Sequence, residues 1–533
     1  MNGERFKGEI VARKSVLLTS IALVAALGIS GCTGGIDETS EKQNQTQSQL
    51  SRDHHVTAAG AMTQKPSAAF SSINSKGSAA SIAASKAVFA SSPKVYVARS
   101  SQADAVVILA AEAARQGAPM LLLDSSSAAQ KALETEIQRL KATEIILPEN
   151  SNLSDAEKAL FGDASVSEVA IAQDASSASA SASAATGPDG FTIFTTAASR
   201  QEVGTAAALG SLQGAGGTLV ELESADPRAT SGTIEAIKAL GDQHAIAVGT
   251  DFASSEEFAG LAESATAGVE LPGGGQVVFP YRRFVALYGH PGTGALGLLG
   301  EQGPEESVTR VKELAAEYQP FSTEPVQPAF EIITTIASAA PGADGQYSSV
   351  TPISKLMPYI DAAEKAGVYV VLDLQPGRND FLTQAKLYEE LLKKPHVGLA
   401  LDPEWRLGPG QKHMVQIGSV EAAEVNEVSD WLATLTRENR LPQKIFVLHQ
   451  FRKSMIKDRD QVKADHPELA TVLHADGNGG RESKFATWNA LRKDLPDGIW
   501  LAWKNFIDED SPTFTPEETF ETVTPKPWFV SYQ

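Results

Sequence analysis

Cysteine is all but absent from this chain: Cys32 is the single one among 533 residues. A body without cysteine builds neither a disulfide framework nor zinc–thiolate sites. Positive charge is scarce too, with 45 Lys and Arg against 65 Asp and Glu and a net charge of −20. That balance excludes nucleic acid as a partner, and also adhesion to anionic lipid through a basic patch. Long apolar runs are missing: the run from Val16 to Leu27, broken by Thr19 and Ser20, is too short to span a bilayer comfortably, and no second run reaches spanning length. Large apolar residues are sparse from Thr33 to about Ser92, where Ser, Ala, Gln, Thr and Asn dominate. Such a segment cannot bury enough surface to offset its ordering entropy, so residues 32–92 are expected to be a disordered stalk.

What is present begins at the N-terminus. A basic segment (Arg5, Lys7, Arg13, Lys14), an apolar core and the tetrapeptide Ile29-Ser30-Gly31-Cys32 follow one another. This order is that of a secretion signal. Its ending resembles the lipobox of bacterial lipoproteins, in which the Cys thiol accepts a diacylglyceryl group and becomes the first residue of the mature protein. The resemblance implies removal of residues 1–31, lipidation of Cys32, and a location at the outer face of the cytoplasmic membrane, facing the cell wall. A lipid carrying several acyl chains anchors stably where one chain would not.

Residues 93–270 read as an α/β region. Strands at Val95–Ala98, Pro119–Leu123 and Glu144–Leu147 alternate with helices at Asp104–Gln116 and Ala128–Leu140. Short apolar strands alternating with helices predict a parallel sheet covered on both faces. A Ser/Ala-rich island follows and marks a flexible insert at 172–188. The same order then recurs: strands at Phe191–Phe194, Gly217–Val220 and Ala245–Gly249, and helices at Arg200–Leu212 and Ser231–Leu240. This is an internal repeat. The first copy carries Ala103-Asp104-Ala105 and then Gly117-Ala118-Pro119-Met120-Leu121-Leu122; it resembles cell wall binding repeat 2. That resemblance implies association with cell-envelope polysaccharide.

From residue 283 to 533 eight apolar strands are expected: Phe284–Tyr288, Phe330–Ile336, Val368–Leu372, Val397–Leu401, Lys444–Leu448, Ala470–Leu473, Ile499–Trp503 and Trp528–Tyr532. Helices at Ser307–Tyr318, Ile353–Ala366, Phe381–Lys393 and Val420–Glu438 fall between them. Eight strands with crossovers in about 250 residues predict a (β/α)8 TIM barrel, whose chemistry sits at the C-terminal ends of the strands. His290 follows the first strand, Asp373 the third, Asp402 and Glu404 the fourth, His449 the fifth, and His474 and Asp476 the sixth. All six Trp lie in this part of the chain, and Trp405 and Trp503 stand at strand ends, where indole faces stack on sugar rings.

The fourth strand and its end, Gly398-Leu399-Ala400-Leu401-Asp402-Pro403-Glu404-Trp405, resemble the Asp-x-Glu strand end of chitinase-type and muramidase-type glycoside hydrolases. The resemblance implies that Glu404 protonates the glycosidic oxygen and that Asp402 raises its proton affinity or orients the substrate. Asp373 and Asp476 complete the carboxylate set, with His290, His449, His474, Trp405 and Trp503 as substrate-binding candidates. No cofactor is expected. Two other readings stay open. His290, Asp373, Asp402, His449, His474 and Asp476 are also the ligand types of a metal-dependent barrel hydrolase, although the His-x-His those enzymes carry after strand one is absent. A barrel that binds wall glycan without cutting it is the other.

Overall fold

A computed structural model describes residues 55–170 and 190–533. The expected signal peptide, Cys32, the beginning of the stalk and the insert at 172–188 lie outside the described residues. The rest of the expected stalk is folded, which corrects the compositional reading. Strand β1 (Phe70–Ile73) and helix α1 (Gly77–Val88) lie within it, and Ala80, Ala84, Val88 and Phe89 are buried. The helix is built from Ser and Ala because its hydroxyls are used inside. Ser81 accepts the Leu122 N–H at 3.1 Å, and Ser85 donates to the buried Glu136 at 2.6 Å.

Two four-stranded parallel sheets follow. One contains β2 (Lys94–Arg99), β3 (Met120–Leu123), β4 (Glu144–Pro148) and β5 (Ser165–Val169) in the order β3-β2-β4-β5. The other contains β6 (Thr192–Thr196), β7 (Thr218–Leu222) and β8 (Ala245–Val248) in the order β7-β6-β8-β1. Three consecutive strands take the same order in both, so the internal repeat is a repeat of topology over those three. The fourth strand of the second sheet comes from the start of the chain. Helix α4 (Val203–Gly214) packs against both α1 and α2 (Ala103–Gln116), and α3 (Ser127–Leu140) also touches α1. Small residues allow this approach: a Cβ on Gly204 would lie 2.6 Å from the Gly77 nitrogen, and one on Gly210 would lie 2.7 Å from the Ala110 oxygen.

The C-terminal part is a closed barrel of eight parallel strands. These are β9 (Arg283–Gly289), β10 (Val326–Ala337), β11 (Tyr369–Leu374), β12 (Val397–Leu401), β13 (Lys444–Gln450), β14 (Leu469–Ala475), β15 (Trp500–Asn505) and β16 (Phe529–Tyr532). Each pairs with the next, and β9 pairs with both β10 and β16 to close the ring. Small and β-branched residues fill the lumen (Ala286, Ala329, Val371, Ala400, Val447, Val472 and Ala502). Outer helices include α5 (Pro304–Tyr318), α6 (Ile353–Ala366), α8 (Ala422–Glu438) and α9 (Arg481–Leu491), with the shorter α7 (Phe381–Leu387) ahead of α8. Among the described residues no helix is long and apolar enough to cross a membrane.

The segment joining the two parts plugs the barrel at the N-terminal ends of its strands. Leu271, Val278 and Phe279 belong to the lumen cluster. The Phe279 ring centroid lies 5.9, 5.1 and 5.6 Å from those of Phe284, Trp500 and Trp528. Gln443 at the base of β13 clamps the plug: its backbone N–H donates to Gln276 O at 2.8 Å, and its side-chain oxygen accepts from the Val278 N–H at 2.9 Å. Trp500 and Trp528 therefore serve the floor. The C-terminal ends of the strands form the mouth at the opposite rim.

A chain beginning at Lys94 lacks β1 and α1, and with them the buried Val88 and Phe89. Losing that burial removes about 3 kcal/mol or more. Its thermal midpoint should lie roughly 10 °C below that of a chain beginning at His55, measured side by side by circular dichroism.

Candidate active site

Side chains alternate across a strand, so every second residue of a barrel strand faces the lumen. On β9 the inward series is Phe284, Ala286, Tyr288; on β11 it is Tyr369, Val371, Asp373; on β13 it is Ile445, Val447, His449. Followed to the C-terminal ends, these series turn polar on every strand. Tyr288, Glu331, Asp373, Asp402, His449, His474, Lys504 and Ser531 form one ring, each 3% exposed or less. Asp476 lies just past β14 with its side chain 8% exposed. Glu404, partly exposed, stands on the turn Pro403–Trp405.

The ring is internally bonded. His449 lies at its centre, with Nε2 2.9 Å from Glu331 Oε1 and Nδ1 3.2 Å from Asp476 Oδ2. The same Nδ1 is 3.1 Å from His474 Nδ1, and His474 Nε2 is 3.2 Å from Ser531 Oγ. One proton assignment satisfies these contacts: His449 donates from both nitrogens, while His474 is neutral, accepts at Nδ1 and donates from Nε2 to Ser531. Across the lumen the Tyr288 hydroxyl donates to Asp373 Oδ2 at 2.9 Å. Lys504 Nζ is 3.3 Å from Asp476 Oδ1 and 3.6 Å from the centre of the Tyr288 ring.

Burial and neighbouring charge divide the ring into two halves. Burial pushes the Asp373 carboxyl up to about 6. Burial, with the charge of Asp373 beside it, pushes Asp402 well above the carboxylate range. Glu404 rises to about 7, first through burial and then through the charge of Asp476. The other half stays ionised. Burial by itself would raise Asp476, but Lys504 and His449 hold it well below the usual range. Burial likewise opposes the charge on Glu331, and the charge and hydrogen bond of His449, with Lys504 behind it, outweigh it. His449 would lose its proton to burial were it not for Glu331 and Asp476, which hold it well above the usual imidazole range. His474 is pushed down to about 3 by burial. The mouth thus holds protonated carboxylic acids beside ionised ones, the arrangement acid–base chemistry requires.

Among the described residues one group has metal-ligand chemistry at metal-site spacing. Glu331, His449 and His474 each offer one ligand atom within 4.8 Å of the other two. Several acceptors in the ring are buried without a partner, namely Glu331 Oε2, Asp373 Oδ1 and Asp402 Oδ1.

The structure brings together Asp373, Asp402, Glu404, His449, His474 and Asp476. His290 stands apart: its Nε2 is 3.1 Å from Thr351 Oγ1, and burial together with Lys355 lowers its proton affinity. Trp405 is partly exposed beside Glu404, its ring 5.2 Å from that of His413. Trp503 is not a substrate contact. It points outward from β15, is 1% exposed, and packs on Trp488, Phe485 and Phe514. Strand parity decides this, because Trp503 and Lys504 are neighbours and only one of them can face the lumen.

Sequence reading missed Tyr288, Glu331, Lys504 and Ser531 as site residues. The two-residue alternation carried backward from each strand end would have found three of them. Glu331 was hidden because β10 runs on to Ala337, pairing there with Ser348–Val350, so its lumen position is mid-strand.

No family model matches this chain, and no curated protein matches it. Among solved structures it is similar to Cwp6 from Clostridium difficile, at 11% identity and a TM-score of 0.19, over 73% of this chain and 64% of that one. The chain therefore spans less than two thirds of that protein's length, and a likeness of this degree carries no argument.

Lys504 pairs with Asp476 at 3.3 Å, and both are buried. Removing one partner of a buried pair leaves an uncompensated charge, typically worth about 3–5 kcal/mol. Lys504→Met should lower unfolding stability by roughly that amount in urea at neutral pH, whereas exchanging the exposed Lys453, paired with Asp494, should change it by about 0–1 kcal/mol.

Proposed function

We propose that the barrel is a glycoside hydrolase acting on cell-envelope polysaccharide, with Glu404 as the general acid. One observation carries this reading: Glu404 stands partly exposed at the barrel mouth with its carboxyl pushed up to about 7 by burial and by Asp476. A carboxylic acid that keeps its proton near neutral pH can protonate a glycosidic oxygen as the bond breaks. Lys504, His449, Asp373 and Asp402 are the other charged or titratable groups acting on this mouth. Asp402, two residues before Glu404, keeps a buried oxygen without a partner, Oδ1, that can accept a hydrogen bond from a sugar N–H or O–H. Trp405 offers an aromatic face on the same turn.

The address belongs to the same proposal. Ile29-Ser30-Gly31-Cys32 supports a lipoprotein held at the outer face of the cytoplasmic membrane, where wall glycan is the polymer within reach. Cys32→Ala should move the protein from the membrane fraction to the medium. Unchanged fractionation removes the anchor from this reading.

The enzymatic part is tested by the release of reducing ends from purified envelope polysaccharide. Glu404→Gln keeps shape and hydrogen bonding but has no proton to give, so turnover should fall roughly 10²–10⁴-fold while glycan is still bound. Wild-type turnover should decline as pH rises through about 7, where Glu404 loses its proton. Full activity of Glu404→Gln, or no cleavage by the wild type, defeats the reading. Binding without cleavage would make the barrel a glycan-binding module.

A further inference from the structure

We propose that Glu331, His449 and His474 form a binding site for one divalent transition-metal ion of the zinc or manganese class inside the barrel. The three residues come from β10, β13 and β14, and all are fully buried. One ligand atom of each lies within 4.8 Å of the other two. Their placement is set by the ladder. His449 and His474 are paired in register on adjacent strands, so their rings face each other with centroids 4.6 Å apart and planes at 66°. Their Nδ1 atoms are 3.1 Å apart. Two imidazole nitrogens bound to one tetrahedral zinc, each at about 2.0–2.1 Å, stand about 3.3 Å apart. The pair is therefore spaced for a shared ion with little movement.

The surroundings supply what a cation needs. Glu331 holds His449 Nε2 through Oε1 at 2.9 Å, and its Oε2, buried without a partner, is the oxygen left free for an ion. Asp373 Oδ1 and Asp402 Oδ1 are buried and unpartnered in the same ring. Ser531 Oγ, 3.2 Å from His474 Nε2, fixes that ring with Nδ1 toward His449. Such an outer contact is what orients a metal-binding imidazole. Asp476 Oδ2, 3.2 Å from His449 Nδ1, is the nearest additional carboxylate. Two imidazoles and a carboxylate favour borderline transition metals over magnesium or calcium, which prefer all-oxygen sites. On binding, the proton between the two Nδ1 atoms leaves to solvent and the lone pairs turn to the ion.

The test needs no substrate. Full-length protein, treated with chelator and dialysed, is titrated with Zn²⁺, Mn²⁺ and Mg²⁺ by calorimetry, with thermal unfolding followed in parallel. One Zn²⁺ per chain should bind and raise the midpoint, and Mg²⁺ should do neither. Glu331→Gln and His474→Ala should each weaken Zn²⁺ at least about 100-fold, and Ser531→Ala, which only frees the His474 ring, about 10–100-fold. His466→Ala, at the distant surface pair with Asp430, should leave binding unchanged. Circular dichroism confirms folding, and Ser531→Ala carries the test if the ligand variants do not fold. Absence of Zn²⁺ binding, or equal binding by wild type, Glu331→Gln and Ser531→Ala, overturns the proposal. Because glycan is not involved, the glycosidase reading can fail while this site stands, and the reverse also holds.

Discussion

Closure of the eight-stranded ladder is the constraint on which everything else depends. The pairing of β9 with β16, from Phe284 opposite Phe529 to Leu287 opposite Tyr532, joins segments about 245 residues apart. An open sheet would spread its strand ends along an edge. A closed one turns the same ends into a circle, so that Tyr288, Glu331, Asp373, Asp402, His449, His474, Lys504 and Ser531 face one another across a single lumen. Parallel pairing also places every C-terminal end on the same rim, which is why the polar ring is at one mouth and the aromatic floor at the other.

Within that circle, electrostatics is settled by a small number of cations. Lys504 and His449 neutralise Asp476 and Glu331 at contact distances of 2.9 to 3.3 Å. No comparable partner reaches Asp402 or Glu404, and Asp373 has the neutral Tyr288 hydroxyl instead. Burial of an unpaired carboxylate is costly, so Asp402 and Glu404 hold protons more tightly than ordinary carboxylates do, Asp373 less so, and the contrast with Asp476 and Glu331 follows from where two positive charges sit. The N-terminal α/β units contribute in another way. Their linker supplies Leu271, Val278 and Phe279 to the floor, which fills the lumen from below.

Small residues play a parallel role outside the barrel. Ser and Ala in α1 read as a linker because neither residue buries much surface alone. Packed against α4, whose Gly204 meets the Gly77 backbone at the start of α1 while Gly210 meets Ala110 of α2, these small residues let the backbones come close. The same composition that predicts disorder in an isolated segment is the one required where backbones come into contact.

The sequence by itself determined the elements: eight barrel strands fall within a few residues of their expected positions, as do the strands and helices of the two α/β units. Buried aliphatic runs and helical periodicity are local properties, so they survive without tertiary information. It also determined that Asp373, Asp402, Glu404, His449, His474 and Asp476 lie at strand ends. Only the tertiary structure decided which neighbours share the lumen. Trp503 and Lys504 differ by one position, and the sense of the pleat sends one into the outer core and the other into the ring. Glu331 joined the site because β10 overruns the rim, and residues 70–88 joined the fold because a strand and a helix distant in sequence offered them an edge and a face. Register, parity and close approach depend on pairs of segments far apart in the chain, and a single segment carries no record of its partner.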